Sequence, residues 1–269
     1  MAFVDHLEAL RWHLLRSALA VAIAAVVAFF NIEWIFNNII MGPAHASFVS
    51  YRWMCNLGHA IGVEGLCLGD MNITFQVTEL SGQFMMSFSV SAMMGLILAF
   101  PYIFWEVWRF IRPALSGKEL KHARGMVFWS SLLFFVGVLF AYYILAPFTI
   151  NFFANYQLSP LLKNDINISN YYGTMSDLVL GMGIVFELPI VVFFLSRLGI
   201  LTPKLMRDKR RYAILIIFIL SAVITPPDWF SIFLVAFPLT LLYELSIRIA
   251  ARNIKIRAKK EAMEDMVGA

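Results

Sequence analysis

The sequence predicts an all-α membrane protein with six transmembrane helices, and three observations support this fold class. The composition is 61% hydrophobic and 14% charged, whereas a soluble domain carries about 25% charged residues. Apolar stretches with the length of membrane spans recur along the whole chain. Basic residues cluster beside alternate ends of these stretches, as the positive-inside rule requires.

The six predicted spans lie at 15–41, 84–106, 125–150, 174–196, 212–225 and 229–247. With a cytoplasmic N-terminus, 19 of the 21 Lys and Arg residues fall on the cytoplasmic side, and Arg52 and Lys163 alone fall on the opposite or far side. This asymmetry predicts cytoplasmic N- and C-termini. The basic residues then set topology and meet lipid headgroups. No soluble module remains to bind nucleic acid.

The first two predicted elements are a short amphipathic helix and a membrane anchor. Apolar residues recur at helical spacing within residues 1–14: Phe3, Leu7, Leu10 and Leu14. The apolar stretch that follows is far longer than the roughly 7–15 residues of a cleavable signal peptide. We therefore expect it to stay in the mature protein as the first span.

Two polar loops are predicted on the far side of the membrane. The first, about residues 43–82, forms a cap, and its alternating segment 72–77 predicts a short strand. This loop holds both cysteines, Cys55 and Cys67. A disulfide between them fits an oxidising far side, while a pair of free thiols is the alternative. The second loop covers residues 155–171.

The last two spans are short and several spans contain proline. The fifth offers about 14 residues, or roughly 21 Å of helix, against a hydrocarbon core of about 30 Å. Pro101, Pro189 and Pro238 lie inside the second, fourth and sixth spans, where proline kinks a helix. Kinked helices of unequal length predict a concave bundle. We expect a single domain over residues 1–250 and a cytoplasmic charged tail over 251–269.

Glu187, near the middle of the fourth span, is the most unusual residue. An acid inside the membrane costs about 3 kcal/mol on insertion scales and is a functional-site hypothesis by default. The structural alternative is that the carboxyl group of Glu187 hydrogen-bonds to a backbone group that lacks its helical partner because Pro189 has no N–H. A secondary transporter with Glu187 as its proton site is a second functional hypothesis. Such transporters commonly show two related halves, and the sequence has no such internal symmetry.

The other acids have simpler interpretations. Asp228 follows two prolines and predicts an N-cap for the sixth span. Glu8 and Glu119 are typical of solvated charges. Glu106 and Glu244, near cytoplasmic span ends, are expected to snorkel or to pair with Arg109 and Arg248. Hydrolase motifs, phosphate loops and common zinc spacings are absent from the sequence. We therefore expect no enzyme, no cofactor and no metal site.

Five segments, in the same order and on the same topology, resemble the TatC family, the multi-span receptor component of the twin-arginine protein translocase. The segments are HLEALR at 6–11, FIRPAL at 110–115 followed by Glu119, FELP at 186–189, TPPD at 225–228, and PL with LYE between 238 and 244. Together they cover most of the chain outside 44–80 and the tail.

The resemblance implies a receptor in the bacterial inner membrane that binds signal peptides bearing paired arginines. It also implies assembly with TatA- and TatB-type single-span proteins and further copies of itself, and transport of folded proteins driven by the proton gradient. The signal-peptide residues carried over are Glu8, Arg11, Leu14, Phe110 and Glu119. The assembly residues are Pro43, Glu187 and Asp228, with Glu187 facing a polar group on a partner helix.

The sequence departs from the family pattern at the N-terminal acid. The family acid aligns with Ala9, whereas the acid of this chain is Glu8, about 100° around a helix. Carboxylates are needed here because they form charge-assisted hydrogen bonds with the paired guanidinium groups of the signal peptide. Either the helix rotates or unwinds to present Glu8, or Glu119 carries more of the recognition.

Overall fold

The computed structural model describes residues 3–62, 74–111, 123–159, 165–197, 199–225 and 229–268. Within these ranges the chain is almost entirely helical, which confirms the all-α class. It divides into two compact units, Met1–Leu180 and Gly181–Ala269, called here the N-terminal and C-terminal units. The expectation of one domain over 1–250 stays a prediction.

The elements follow in chain order. They are α1 (Phe3–Phe30), α2 (Ile32–Ile35), α3 (Val49–Ile61), β1 (Thr74–Gln76), α4 (Gly82–Ile111), α5 (Ala123–Phe140), α6 (Ala146–Asn155), β2 (Asp165–Asn167), α7 (Ile168–Val185), α8 (Leu188–Arg197), α9 (Pro203–Asp208), α10 (Arg210–Ile224) and α11 (Trp229–Gly268). Two π-helical turns, Phe36–Ile40 and Ala141–Leu145, and a 3-10 turn, Gly42–Ala44, join some of them.

Helix α1 shows that the predicted N-terminal helix is not a separate element. It runs without a break from Phe3 to Phe30 and so includes most of the first span. The stretch contains neither glycine nor proline, so nothing in it interrupts the hydrogen-bond ladder. Residues 8–14 are therefore held on the same rigid helix as the span.

In the part of the chain that the structure describes, five helical stretches are long and apolar enough to cross a membrane: Glu8–Phe30, Gly82–Ile111, Gly125–Asn155, Ile168–Arg197 and Ser231–Arg252. The fifth predicted span also forms a helix, α10, but it has 15 residues, or about 22 Å. The count of six spans and the cytoplasmic position of both termini stay predictions.

The three span prolines act differently. Pro101 and Pro238 lie within continuous helices, α4 and α11. The fourth span instead breaks at a turn, Phe186-Glu187, before α8 begins at Leu188. Pro189 has no N–H to donate to the carbonyl of Val185, the last residue of α7, and this explains the position of the break.

A two-stranded sheet joins the two loops that were predicted to lie on the far side. The predicted strand forms as Thr74–Gln76 and pairs in parallel with Asp165–Asn167, with Phe75 opposite Ile166. The first loop also contains helix α3, which the sequence did not predict. The fourth span begins at Ile168 rather than 174. Both loops are thus more structured than their polar composition indicates.

The core of the N-terminal unit depends on close contact between α1 and α4. A Cβ atom on Gly95 would lie 2.7 Å from the backbone nitrogen of Ala25 and 2.8 Å from the carbonyl oxygen of Val21. The two backbones can therefore approach this closely only with glycine at position 95. The contact fixes how the two helices cross.

Tyrosine hydroxyl groups support the irregular segment after α2. Tyr51 donates to the carbonyl oxygens of Pro43 at 2.7 Å and Pro147 at 3.2 Å. Tyr171 donates to Ile40 at 2.7 Å. These bonds satisfy carbonyl groups around the π-helical turn. Burial raises the pKa of Tyr51, so its hydroxyl keeps its proton and stays a donor.

In the C-terminal unit, α11 packs against α8, α9 and α10. The hydroxyl of Tyr243 on α11 donates to the carbonyl of Met206 on α9 at 2.7 Å. Glu244 on α11 forms an ion pair with Arg210 on α10 at 2.5 Å, rather than the pair with Arg248 that the sequence suggested. A Cβ on Gly181 would lie 2.9 Å from Cγ2 of Ile224, so α7 and α10 also pack closely.

Candidate functional site

A buried polar cluster joins α1 to α4. The side chain of Glu106 is only 1% exposed and is hydrogen-bonded to Nδ1 of His13. The hydroxyl of Tyr102 donates to Oε1 of Glu106 at 3.0 Å, and Nη1 of Arg109 lies 3.5 Å from the same oxygen. The predicted pairing with Arg109 is confirmed, and sequence reasoning missed His13. This cluster holds a carboxylate that would otherwise be costly to bury.

The His13–Glu106 bond fixes the rotation of α1, because it directs position 13 toward α4. On a helical wheel, Ala9 lies about 40° from His13, and Glu8 lies about 140° away. Ala9 is half-buried and Glu8 is exposed, in agreement with this rotation. Since α1 is continuous here, the helix has neither unwound nor turned Glu8 toward α4.

Three predicted site residues form one exposed row, called here the outward strip: Glu8, Arg11 and Leu14. They are spaced by three residues, so neighbours lie about 60° apart, and they lie about 140°, 160° and 100° around the helix from His13. All three are exposed, Leu14 by 61%. The guanidinium of Arg11 lies 5.7 Å from the centre of the Trp12 ring. The strip offers one acid, one base and apolar surface to a ligand.

Phe110 does not belong to the outward strip. It is half-buried near the end of α4, and its ring meets that of His13 edge-on, with centroids 6.1 Å apart. Phe110 therefore packs at the α1–α4 contact, beside the polar cluster. Glu119 and Asp228 lie outside the described residues.

Pro43 lies at the other end of the unit. It is buried in the 3-10 turn Gly42–Ala44, which follows α1 and α2. Helix α1 has 28 residues, or about 42 Å, so Pro43 is far from the outward strip. Its carbonyl accepts the hydrogen bond of Tyr51. The structure thus gives Pro43 a role in holding the irregular segment.

Glu187 belongs to the C-terminal unit and is buried, with 9% of its surface exposed. It sits in the turn between α7 and α8. Its N–H donates to the carbonyl of Ile184 at 3.1 Å, and its carbonyl accepts from the N–H groups of Ile190 and Val191 at 2.9 and 3.1 Å. The backbone at Glu187 therefore ends one helix and starts the next.

Cys55 lies half-buried on α3 and is disulfide-bonded. Its Sγ is 3.5 Å from Nε2 of His59. Cys67 lies outside the described residues, so its pairing with Cys55 stays a prediction. Among the residues that the structure describes, no group of three His, Cys, Asp or Glu side chains could hold a metal ion.

The arrangement therefore separates the predicted residues into distinct places. The outward strip and the His13–Glu106 cluster share the N-terminal half of α1, Pro43 supports the far end, and Glu187 lies in the other unit. A single sequence could have drawn attention to His13 only as a titratable residue beside a span. Its partner is 93 positions away, and no local pattern connects the two.

Comparison with known proteins supports the resemblance drawn from the motifs. The family described as "Sec-independent protein translocase protein (TatC)" matches residues 5–238. The protein of that name from Blattabacterium sp. subsp. Periplaneta americana (strain BPLAN) is 38% identical over 252 residues, which cover 93% of this chain and 95% of that protein. The one from Aquifex aeolicus (strain VF5) is 32% identical over 262 residues, covering 97% and 98%.

A solved structure is similar over almost the same length. The crystal structure of the twin arginine translocase receptor TatC superimposes with a TM-score of 0.72 at 30% sequence identity. The match covers 93% of this chain and 99% of that chain. The similarity therefore extends through both units rather than a single motif.

Proposed function

Because the chain belongs to the TatC family of Sec-independent protein translocase proteins, we propose that it is the receptor component of a twin-arginine protein translocase. The observation that carries this proposal is the match to a solved receptor over 93% of the chain. As a membrane protein of this family, it binds signal peptides with paired arginines. It then passes folded cargo across the membrane, using the proton gradient, without catalysing a reaction.

Recognition of the signal peptide takes place at the cytoplasmic end of α1 and the loop that follows α4. Glu119 supplies the main carboxylate for the paired guanidinium groups. Glu8 supplies a second, weaker contact from the outward strip, because it is exposed and faces away from α4. Leu14 offers apolar contact to the peptide, Arg11 lies beside it on the outward strip, and Phe110 packs against His13 at the α1–α4 contact.

Assembly uses other parts of the chain. A single-span TatA- or TatB-type protein places a polar group against Glu187, since a buried carboxylate favours a donor from a neighbouring helix. Asp228 and Pro43 act in assembly, and further copies of the chain join the complex. The protein lies in the bacterial inner membrane with both termini in the cytoplasm, as the distribution of basic residues favours.

Export of a folded reporter behind a twin-arginine signal tests this function. Cells that depend on this chain should export the reporter, and replacing both signal arginines with lysine should abolish export. Glu119→Ala should reduce export and signal-peptide crosslinking strongly, and Glu8→Ala should reduce them less. If both variants bind and export as the unmodified chain does, the assignment of the recognition site fails.

The topology has its own test. A cysteine introduced at Lys118 should react with a membrane-impermeant thiol reagent only after the cells are opened. Labelling of that cysteine in intact cells would place the recognition loop on the wrong side and would contradict the proposal.

A further inference from the structure

A groove opens at the far-side end of the N-terminal unit. Its volume is about 370 Å³, and it is bordered by α2, the π-helical turn, β1 and the first turns of α4. Met86 and Ile168 form a buried apolar floor. Glu33, Asn37 and Gln83 are exposed polar residues at the rim. This volume falls within the roughly 300–1,000 Å³ of small-molecule sites.

The rim lies where the apolar stretches of α1 and α4 end and leave the membrane. Glu33 comes three positions after the apolar stretch Glu8–Phe30, and Gln83 is the second residue of the stretch Gly82–Ile111. Both therefore lie at the boundary between hydrocarbon and water. Trp34, beside Glu33, is 62% exposed, and exposed tryptophan is typical of this depth. Lipid headgroups occupy the same layer of the bilayer.

An exposed aromatic surface continues from the groove toward the hydrocarbon. Phe84 and Phe88 follow Gln83 on α4 and are 60% and 50% exposed. Their ring centroids are 4.9 Å apart, and the ring of Phe29 on α1 lies 5.2 Å from that of Phe88. An acyl chain that leaves the groove would thus find apolar side chains along its path.

The polar groups at the rim match one kind of headgroup. Glu33 is the single charged residue among the described residues that line the groove. The ion pairs found in the described part of the chain do not involve it. Its carboxylate is suited to an ammonium group, and the side-chain amides of Asn37 and Gln83 can donate to a phosphate.

We propose that this groove binds a zwitterionic aminophospholipid, such as phosphatidylethanolamine, with its ammonium on Glu33 and its phosphate on the two amides. The π-helical turn Phe36–Ile40 supports the proposal, because such turns occur frequently at functional sites and this one carries Asn37. The described residues of the lining include no Lys or Arg to bind an anionic lipid, and Glu33 repels such a lipid. The site therefore selects by headgroup charge.

Native mass spectrometry of the purified protein with added phosphatidylethanolamine or phosphatidylglycerol tests the proposal. The unmodified chain should retain phosphatidylethanolamine in preference. Glu33→Gln should reduce that preference about five-fold, the size expected for one exposed charge pair. Glu33→Lys should reverse it toward phosphatidylglycerol. Glu79→Gln is the matched control, since Glu79 is exposed near the same end but does not line the groove.

Equal retention of both lipids by the unmodified chain would overturn the proposal, as would equal effects of Glu33→Gln and Glu79→Gln. A photocrosslinking amino acid at Asn37 gives an independent result in native membranes. Crosslinks to lipid support the proposal. Crosslinks to a protein partner in place of lipid would show that the groove receives a polypeptide and would reject it.

Discussion

The imidazole of His13 on α1 is hydrogen-bonded to the carboxylate of Glu106 on α4, and the two residues are 93 positions apart in the sequence. Tyr102 and Arg109 complete the set of donors around the carboxylate. The bond ties the C-terminal end of α4 to the helix that carries the outward strip. It therefore connects the packing of the unit with the surface proposed to meet the signal peptide.

The first prediction concerns the stability of this cluster. Glu106→Leu should lower the stability of the purified protein by about 1–2 kcal/mol, because it removes the acceptor for the mostly buried imidazole of His13. The double variant His13→Leu/Glu106→Leu should recover part of the loss, since the mostly buried imidazole is then no longer left without its acceptor. Thermal unfolding in detergent measures both. If the single and double variants lose equal stability, His13 and Glu106 are not energetically coupled.

The second prediction concerns the contact of α1 and α4 at Gly95. Gly95→Ala should destabilise the protein by about 1–3 kcal/mol, because the new methyl group would lie 2.7 Å from the backbone nitrogen of Ala25. Gly125→Ala is the matched control, since a Cβ there has nothing within 4 Å. Unfolding temperatures of the two variants give the comparison. If Gly95→Ala is as stable as Gly125→Ala, the helices do not require this close approach.

The helices and strand β1 could be predicted because their signals are local. Apolar stretches located the spans, and alternation over 72–77 located β1. The β1–β2 pairing could not be predicted, since three residues such as Asp165–Asn167 are too short to show a period. The unbroken α1 was also missed, because the change from amphipathic to apolar sequence at about residue 14 suggests a boundary that the backbone does not have.

The candidate site was predicted as a set of residues but not as an arrangement. The resemblance to the TatC family identified Glu8, Arg11 and Leu14 as site residues. Their spacing of three residues on a helix is enough to explain why they form one row. The separation of Phe110 from that row follows from the rotation of α1. This rotation depends on the His13–Glu106 contact, which joins distant parts of the chain, so no local pattern could have revealed it.

The third prediction uses the rotation of α1. Ala9→Glu should strengthen binding of a twin-arginine signal peptide up to about five-fold. Position 9 lies on the side of α1 that faces α4, and a carboxylate there would be nearer the end of α4 at Ile111. Ala9→Gln has the same shape without the charge and should leave binding unchanged. Affinity for a synthetic signal peptide, measured in detergent, gives the answer.

The outcome that would contradict this prediction is equal binding by Ala9→Glu, Ala9→Gln and the unmodified chain. Glu8 on the outward strip would then be sufficient as the N-terminal acid. A loss of binding with both variants would show that position 9 tolerates only a small side chain against α4.

The fourth prediction separates a partner-binding role for Glu187 from a role as a proton site in a solute transporter. Glu187→Ala should reduce copurification of a TatA- or TatB-type single-span protein roughly five- to thirty-fold, the effect of losing about 1–2 kcal/mol from a hydrogen bond between membrane helices. Glu244→Ala is the control, because it removes a second glutamate of the C-terminal unit, one that forms an ion pair with Arg210. A transporter's proton site has no need of such a partner, so unchanged recovery with Glu187→Ala would reject the assembly role.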